Sequence, residues 1–210
     1  MLRRLDDLSA LGWCLQSFGA LEERTGRLDA AETYLQEAVA IFEKLGDQRL
    51  RATTLRRLSS VSERRGDYET SLVQVQQALH ISQELNDIEV ITGCLLTMGL
   101  IKDLQGDSAA AYTLFEEALT YAYKRGNKLN IGVALINLGW IDTNLGDYEA
   151  ARRYHQESVD LYRSLNHRNR VAAALSNLGF TQIQLGWLEQ ARVNLNEALT
   201  ILTEGGDLHD

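Results

Sequence analysis

Proline is absent from all 210 residues of the chain. Average usage of about 5% would place roughly ten in a protein of this length. Without proline there are no built-in kinks or stiff linkers, and nothing interrupts a helix. Cysteine is nearly absent too, with Cys14 and Cys94 the only two. They lie in the same slot of two non-adjacent sequence repeats. Helix layers stack at about 8–10 Å, so the two sulfurs fall beyond the ~7 Å Cα separation that a disulfide tolerates. Both read as buried free thiols. No run of about 18 apolar residues occurs, which excludes a membrane-spanning helix. The first residues, Met1-Leu-Arg-Arg-Leu-Asp-Asp, lack the apolar stretch of a signal peptide, so a cytoplasmic location is expected.

Positive charge is also scarce. Lys and Arg number 21 against 29 Asp and Glu, a net charge of −8. That argues against general nucleic-acid binding, because phosphate contacts demand a basic footprint. The chain has no Gly-rich phosphate loop, no His/Cys metal spacing and no nucleophile elbow. His80, His155, His167 and His209 fall in different repeat columns and do not converge. No catalytic residue, metal or cofactor is expected, and the chain reads as a non-enzyme.

What the chain has is periodicity. Every twentieth residue from Gly26 to Gly206 is Gly or Asn: Gly26, Gly46, Gly66, Asn86, Gly106, Gly126, Gly146, Asn166, Gly186 and Gly206. The next residue is usually Asp, as at Asp47, Asp67, Asp87, Asp107, Asp147 and Asp207. Gly and Asn end helices in the left-handed conformation, and Asp caps the start of the next. The spacing predicts helices of about 18 residues, each roughly 27 Å long.

Helix pairs repeat every forty residues without gaps. The first helix of each pair carries Leu15, Leu55, Leu95, Leu135 and Leu175 in one column, and Phe18, Leu58, Met98, Leu138 and Leu178 three residues on. With Leu11, Ile91, Ile131 and Val171 these form an i, i+4, i+7 apolar stripe. Small residues follow at Gly19, Ser59, Gly99, Gly139 and Gly179, where a partner helix approaches closely. The second helix supplies small residues at Ala31, Ser71, Ala111, Ala151 and Ala191 and again at Ala38, Ala78, Ala118, Ser158 and Ala198. Larger ones, among them Leu35, Val75, Phe115, Leu195 and Leu199, lie between and beyond. Small-against-large matching is what tight antiparallel packing requires. His155 shares the column of Leu35 and Phe115 and reads as a core histidine with a local hydrogen bond.

The motif Leu135-x-x-Leu138-Gly139, followed by Gly146-Asp147-Tyr148-x-x-Ala151, resembles the tetratricopeptide repeat. That family's usual period is 34 residues, and the longer unit here is similar to repeats of kinesin light chains and spindle-orientation adaptors. It is similar also to sensor arrays of bacterial signal-transduction ATPases and transcription activators. The resemblance implies an all-α, right-handed superhelical solenoid of antiparallel helix pairs over residues 1–210. About five repeats are expected, near 8–46, 47–86, 87–126, 127–166 and 167–206. The family's proline near the end of the second helix and its aromatic in the first are missing. The resemblance further implies a protein or peptide partner held on the concave face.

Positions two residues out of step with the core leucines point roughly 200° away from them, and in the tetratricopeptide fold that face lines the groove. Along it stand Arg56, Arg57 and Arg64, then Leu96 and Leu100, then Ile136, Asn137, Trp140 and Asn144, then Asn177, Phe180 and Gln184. Guanidinium forks suit carboxylates or phosphates, and the apolar side chains offer anchors. Related long-repeat proteins clamp a peptide backbone with asparagines in the slot of Asn137 and Asn177, and others clamp a terminal carboxylate in the slot of Arg57. A bland alternative stands beside each reading. The arginine-rich helix, which also holds Arg49, Arg51 and Arg65 at its ends, fits a solvated face paired with neighbouring acids. Trp140 and Phe180 equally fit packing between adjacent first helices.

The ends of the register carry a further expectation. Met1–Asp7 parallels the end of a second helix, as at Phe42–Asp47, and the last helix has no polar helix after it to cover its apolar face. The chain is expected to be a piece of a longer array within a regulatory protein, or else a scaffold that dimerises through its uncapped C-terminal helix or folds back in autoinhibition.

Overall fold

The computed structural model describes residues 2–206, with side chains over 7–204; Met1, Asp207 and His209 lie outside the described residues. Ten helices follow one another among them: α1 (Leu2–Arg24), α2 (Leu28–Leu45), α3 (Gln48–Arg64), α4 (Tyr68–Glu84), α5 (Ile88–Leu104), α6 (Ser108–Arg125), α7 (Lys128–Leu145), α8 (Tyr148–Ser164), α9 (Arg168–Gln184) and α10 (Leu188–Gly206). The fold is the all-α helix-pair repeat that the periodicity predicts.

The corners form as the Gly/Asn spacing requires. Gly26 through Gly186 all take positive φ, and so do the two non-glycine members, Asn86 at 51° and Asn166 at 52°. At the second corner the Asp47 N–H donates to the Phe42 carbonyl and the Gly46 N–H to the Glu43 carbonyl, both at 3.0 Å. This pair of bonds satisfies carbonyls that a helix end leaves orphaned. The Asp47 side chain then accepts from the Leu50 N–H at 3.0 Å, capping α3. Asp67, Asp87, Asp107, Asn127 and Asp147 repeat the cap at α4 through α8.

The N-terminal register departs from expectation. Instead of a preceding helix that ends near residue 7, α1 runs without a break from Leu2. The position equivalent to Gly46 is Asp6, for which the left-handed turn costs more than it does for glycine.

The helices fall into two units, residues 1–111 and 112–210. In the first, each helix from α1 to α5 packs on the next, and the odd helices also touch one another. Leu58 and Val61 of α3 bury against Ala31 and Leu35 of α2, and Val90, Cys94 and Ile101 of α5 against Val75, Ala78 and Ile81 of α4. In the second, Ile131 and Leu135 of α7 pack on Ala122 of α6, and Val171, Leu175 and Leu178 of α9 on Val159 and Tyr162 of α8. The small-against-large columns therefore lie where the sequence places them.

Several stripe residues at the two ends do not. Leu11, Phe18 and Leu199 are exposed, and Cys14 is exposed while Cys94 is buried. Core columns are covered from two sides in internal repeats. These four belong to outermost helices that have a neighbour on one side alone.

Candidate ligand-binding faces

In the first unit the structure sorts the arginines of α3 by partner. Arg49 bonds Asp87 at 2.6 Å, Arg51 bonds Glu43 at 3.0 Å, and Arg65 reaches Glu32 at 2.6 Å as well as Asp29. Arg64 donates to the backbone carbonyl of Glu23. Arg49, Arg51 and Arg65 are thus paired with acids as the solvated-face alternative expects, while Arg64 is exposed and bonds no acid among the described residues. Arg56 and Arg57 are different: both are half-buried, and neither has a carboxylate partner among the described residues. The Arg56 side chain lies across α5 at Gly93, where an added Cβ would stand 3.0 Å from its Nε. A side chain at 93 would displace it. Burial lowers the pKa of Arg56, the Cys94 side chain raises it, and the neighbouring Arg57 charge lowers it further. The Glu23 and Glu89 charges raise it from beyond ion-pair distance, and two adjacent, half-buried cations with no carboxylate bonded to them form a site that an anion stabilises. On α5, Leu96 is half-buried and Leu100 exposed. Gln16, on the flank of the same face of α1, is buried instead, and its amide donates to Thr54 Oγ1 at 2.8 Å.

In the second unit α7 presents Ile136, Asn137, Trp140 and Asn144, and α9 presents Asn177, Phe180 and Gln184. Ile136 and the two slot asparagines are half-buried, and the other four are exposed. Trp140 keeps 44% of its surface and Phe180 48%, so neither ring is consumed by packing between first helices. The side-chain amides of Asn137 and Asn177 make no hydrogen bond among the described residues. Each leaves a donor and an acceptor free beside an exposed ring, the pair of groups needed to bond an extended peptide backbone.

Beneath this face lies a buried polar layer that the column pattern shows in part. His155 is buried as expected, with Nδ1 3.1 Å from Thr181 Oγ1. Its Nε2 has no partner, and burial lowers its pKa to about 4. Asp142 is also buried with one oxygen, Oδ2, unpartnered, and burial raises its pKa. The sequence signal for Asp142 is its column, which also holds Glu22, Ser62, Lys102 and Gln182. Glu22, Ser62 and Gln182 pair with Arg27, Gln74 and Asn194. No helix of the described residues is long and apolar enough to cross a membrane.

The tetratricopeptide-repeat family model matches residues 6–84, 92–164 and 141–204. None of the curated proteins matches the chain. Among solved structures, BtubC (BKLC) from P. vanneervenii is similar, with a TM-score of 0.81 at 19% identity over 97% of this chain and 84% of that one. A Rap protein complexed with Competence and Sporulation Factor has a TM-score of 0.80 at 19% identity, over 90% of this chain and 53% of its own length. A signal transduction ATPase with a tetratricopeptide repeat sensor, from Pyrococcus horikoshii, has a TM-score of 0.69 at 21% identity, over 85% of this chain and 27% of that protein. At such identities the likeness is one of fold. With the family model spanning most of the sequence, the chain belongs to the tetratricopeptide-repeat family.

Proposed function

We propose that the protein is an interaction module that holds a peptide or partner segment bearing carboxylates and apolar side chains, and that it is not an enzyme. The observation that carries this reading is the sorting of arginines on α3. Arg49, Arg51 and Arg65 are paired with neighbouring acids, whereas on the ligand face Arg64 bonds a backbone carbonyl and Arg56 and Arg57 bond no carboxylate among the described residues. The free amides of Asn137 and Asn177 beside Trp140 and Phe180 support it independently. The complex of a Rap protein with Competence and Sporulation Factor is a precedent in a similar fold.

The test is a binding screen by fluorescence anisotropy with labelled ten-residue peptides that combine acidic and aromatic positions. Arg57→Glu should weaken the peptide that the first unit binds best and Trp140→Ala the one that the second unit binds best, each by about 2 kcal/mol, as for a hot spot, with unchanged helix content. Unaltered affinity in both variants removes the reading.

A second reading is favoured by α10. Its Leu199 is 61% exposed and its Leu202 is exposed as well, although α10 is amphipathic and the equivalent Val159 and Tyr162 of α8 are buried. This face supports self-association of the chain through α10.

A further inference from the structure

We infer that two copies associate head to tail, the exposed face of α10 in one copy seating on the exposed face of α1 in another. The inference rests on the self-association reading and adds the surface that α10 meets. The chain itself contains the proposed interface several times over. At each internal junction a second helix covers the following first helix through fixed columns.

On the first-helix side the columns are those of Cys14, Phe18 and Leu21. Their counterparts Thr54, Leu58 and Val61 on α3 are buried, as are Ala134, Leu138 and Ile141 on α7. In α1 all three are exposed, Phe18 by 53%. They line a shallow apolar depression of about 310 Å³ together with Trp13 and Ser17. On the second-helix side the columns are those of Leu195, Leu199 and Leu202. Leu35, Val75 and Phe115 are buried in the first of these, and Phe42, Ala122 and Tyr162 in the last. In α10, Leu195 is half-buried and the other two are exposed.

Thus α1 exposes a first-helix surface that elsewhere receives a second helix, and α10 exposes a second-helix surface that elsewhere covers a first one. Neither face is the mate of its own kind. At internal junctions Leu58 and Val61 meet Ala31 and Leu35, and Leu178 and Val171 meet Val159 and Tyr162. No internal junction pairs two second helices through these columns. The complementary occupant for α10 is therefore α1 of a second copy, a heterologous contact rather than an isologous one.

The test uses sedimentation velocity on the full chain and on Phe18→Glu and Leu199→Glu. Both residues are exposed, and circular dichroism checks the fold of each variant. Leu21→Glu and Leu202→Glu serve as second variants should either unfold. The wild type is expected to form oligomers whose population rises with concentration. Each variant alone should be monomeric, and an equimolar mixture should give a one-to-one dimer, because one variant keeps an intact α10 and the other an intact α1. A Phe18→Glu variant that still dimerises, with Leu199→Glu monomeric, overturns the head-to-tail contact and leaves self-association through α10 standing. A mixture that stays monomeric, or association that survives in both variants, also overturns the contact. A wild type monomeric at every concentration overturns both.

Discussion

His155 Nε2 stands 2.5 Å from the point where a Cβ on Gly139 would lie. The same relationship joins Gly19 to Leu35 at 2.6 Å and Gly179 to Leu195 at 2.7 Å. The small column of the first helix is therefore a set of sockets for the large column of the second. Gly139→Ala sets two effects against each other. Helix propensity gains about 1 kcal/mol, and overpacking costs about 1–3 kcal/mol. The imidazole is held by its bond to Thr181, and the Ala151 carbonyl, 3.2 Å from the same point, is backbone. Neither yields easily, so the net change should be destabilising. Urea denaturation followed by circular dichroism would read it. A midpoint at or above that of the wild type would show that the socket has room.

The same histidine should make stability depend on acid. Its pKa is lowered to about 4 from an unfolded value near 6.5. Between those two values the unfolded chain takes a proton that the fold refuses. Stability is full at neutral pH, falls as pH drops through this window, and levels off below it. At about 1.4 kcal/mol per unit the loss is on the order of 3 kcal/mol. Asp142 opposes it: burial raises its pKa, so the fold takes up that proton first and regains stability as pH falls. His155→Leu, which installs the residue found at position 35, should flatten the decline between neutral and about pH 4.5. Asp142→Asn should steepen it. Urea midpoints at the two pH values decide, and an identical decline in wild type and His155→Leu would exclude the histidine as its source.

How far the sequence could be read depends on whether a property is local or collective. The corners at Gly46, Asn86 and Gly146 were legible because backbone chirality and capping are decided within a few residues. The sockets at Gly19 and Gly139 were legible because a forty-residue period aligns them by eye. The fate of Cys14 and Phe18 was not. They share columns with buried Cys94 and Leu58, and burial there depends on a neighbouring helix rather than on the residue. The pairing of arginines was equally hidden. Arg49 and Arg57 differ in whether a carboxylate reaches across from another helix, as Asp87 does for Arg49. Helix periodicity locates the face of each arginine without locating its counter-ion.

The two thiols should differ sharply in reactivity. Cys14 is exposed on α1, whereas Cys94 is buried against α4. Desolvation pushes the Cys94 thiol up to about 12, with the nearby Arg56 charge opposing it in part. Thiolate is the reacting species, so at neutral pH Cys94 is both shielded and protonated. At concentrations where the chain is monomeric, a chromogenic disulfide reagent should label one thiol of the folded wild type quickly and the second after denaturation. Cys14→Ser should abolish the fast phase. A fast phase that persists in Cys14→Ser would place Cys94 at the surface.

The start of α9, like that of α2 at Arg27, departs from the capping rule. Six of the helices from α3 to α8 begin with an Asp or Asn whose side chain accepts a backbone N–H. At α9 the capping position is His167, which makes no such bond, and the first turn holds no acidic residue. The Arg170 N–H turns instead to the His167 carbonyl at 3.0 Å, and the positive end of the dipole meets no acidic side chain in the first turn. His167→Asp should supply both the missing acceptor and the favourable charge. Caps contribute about 0.5–2 kcal/mol, and an anion at a helix N-terminus about 0.3–1 kcal/mol. The ring of His167 contacts Tyr162 at a centroid distance of 6.5 Å, a loose contact whose loss subtracts little. The variant should therefore gain about 1 kcal/mol in urea denaturation at neutral pH. The gain should shrink at high salt, because only its charge component is screened. Asp147→Ala, which removes an existing cap from α8, should lose a comparable amount. If His167→Asp is neutral while Asp147→Ala is destabilising, the His167–Tyr162 contact contributes more than its geometry suggests.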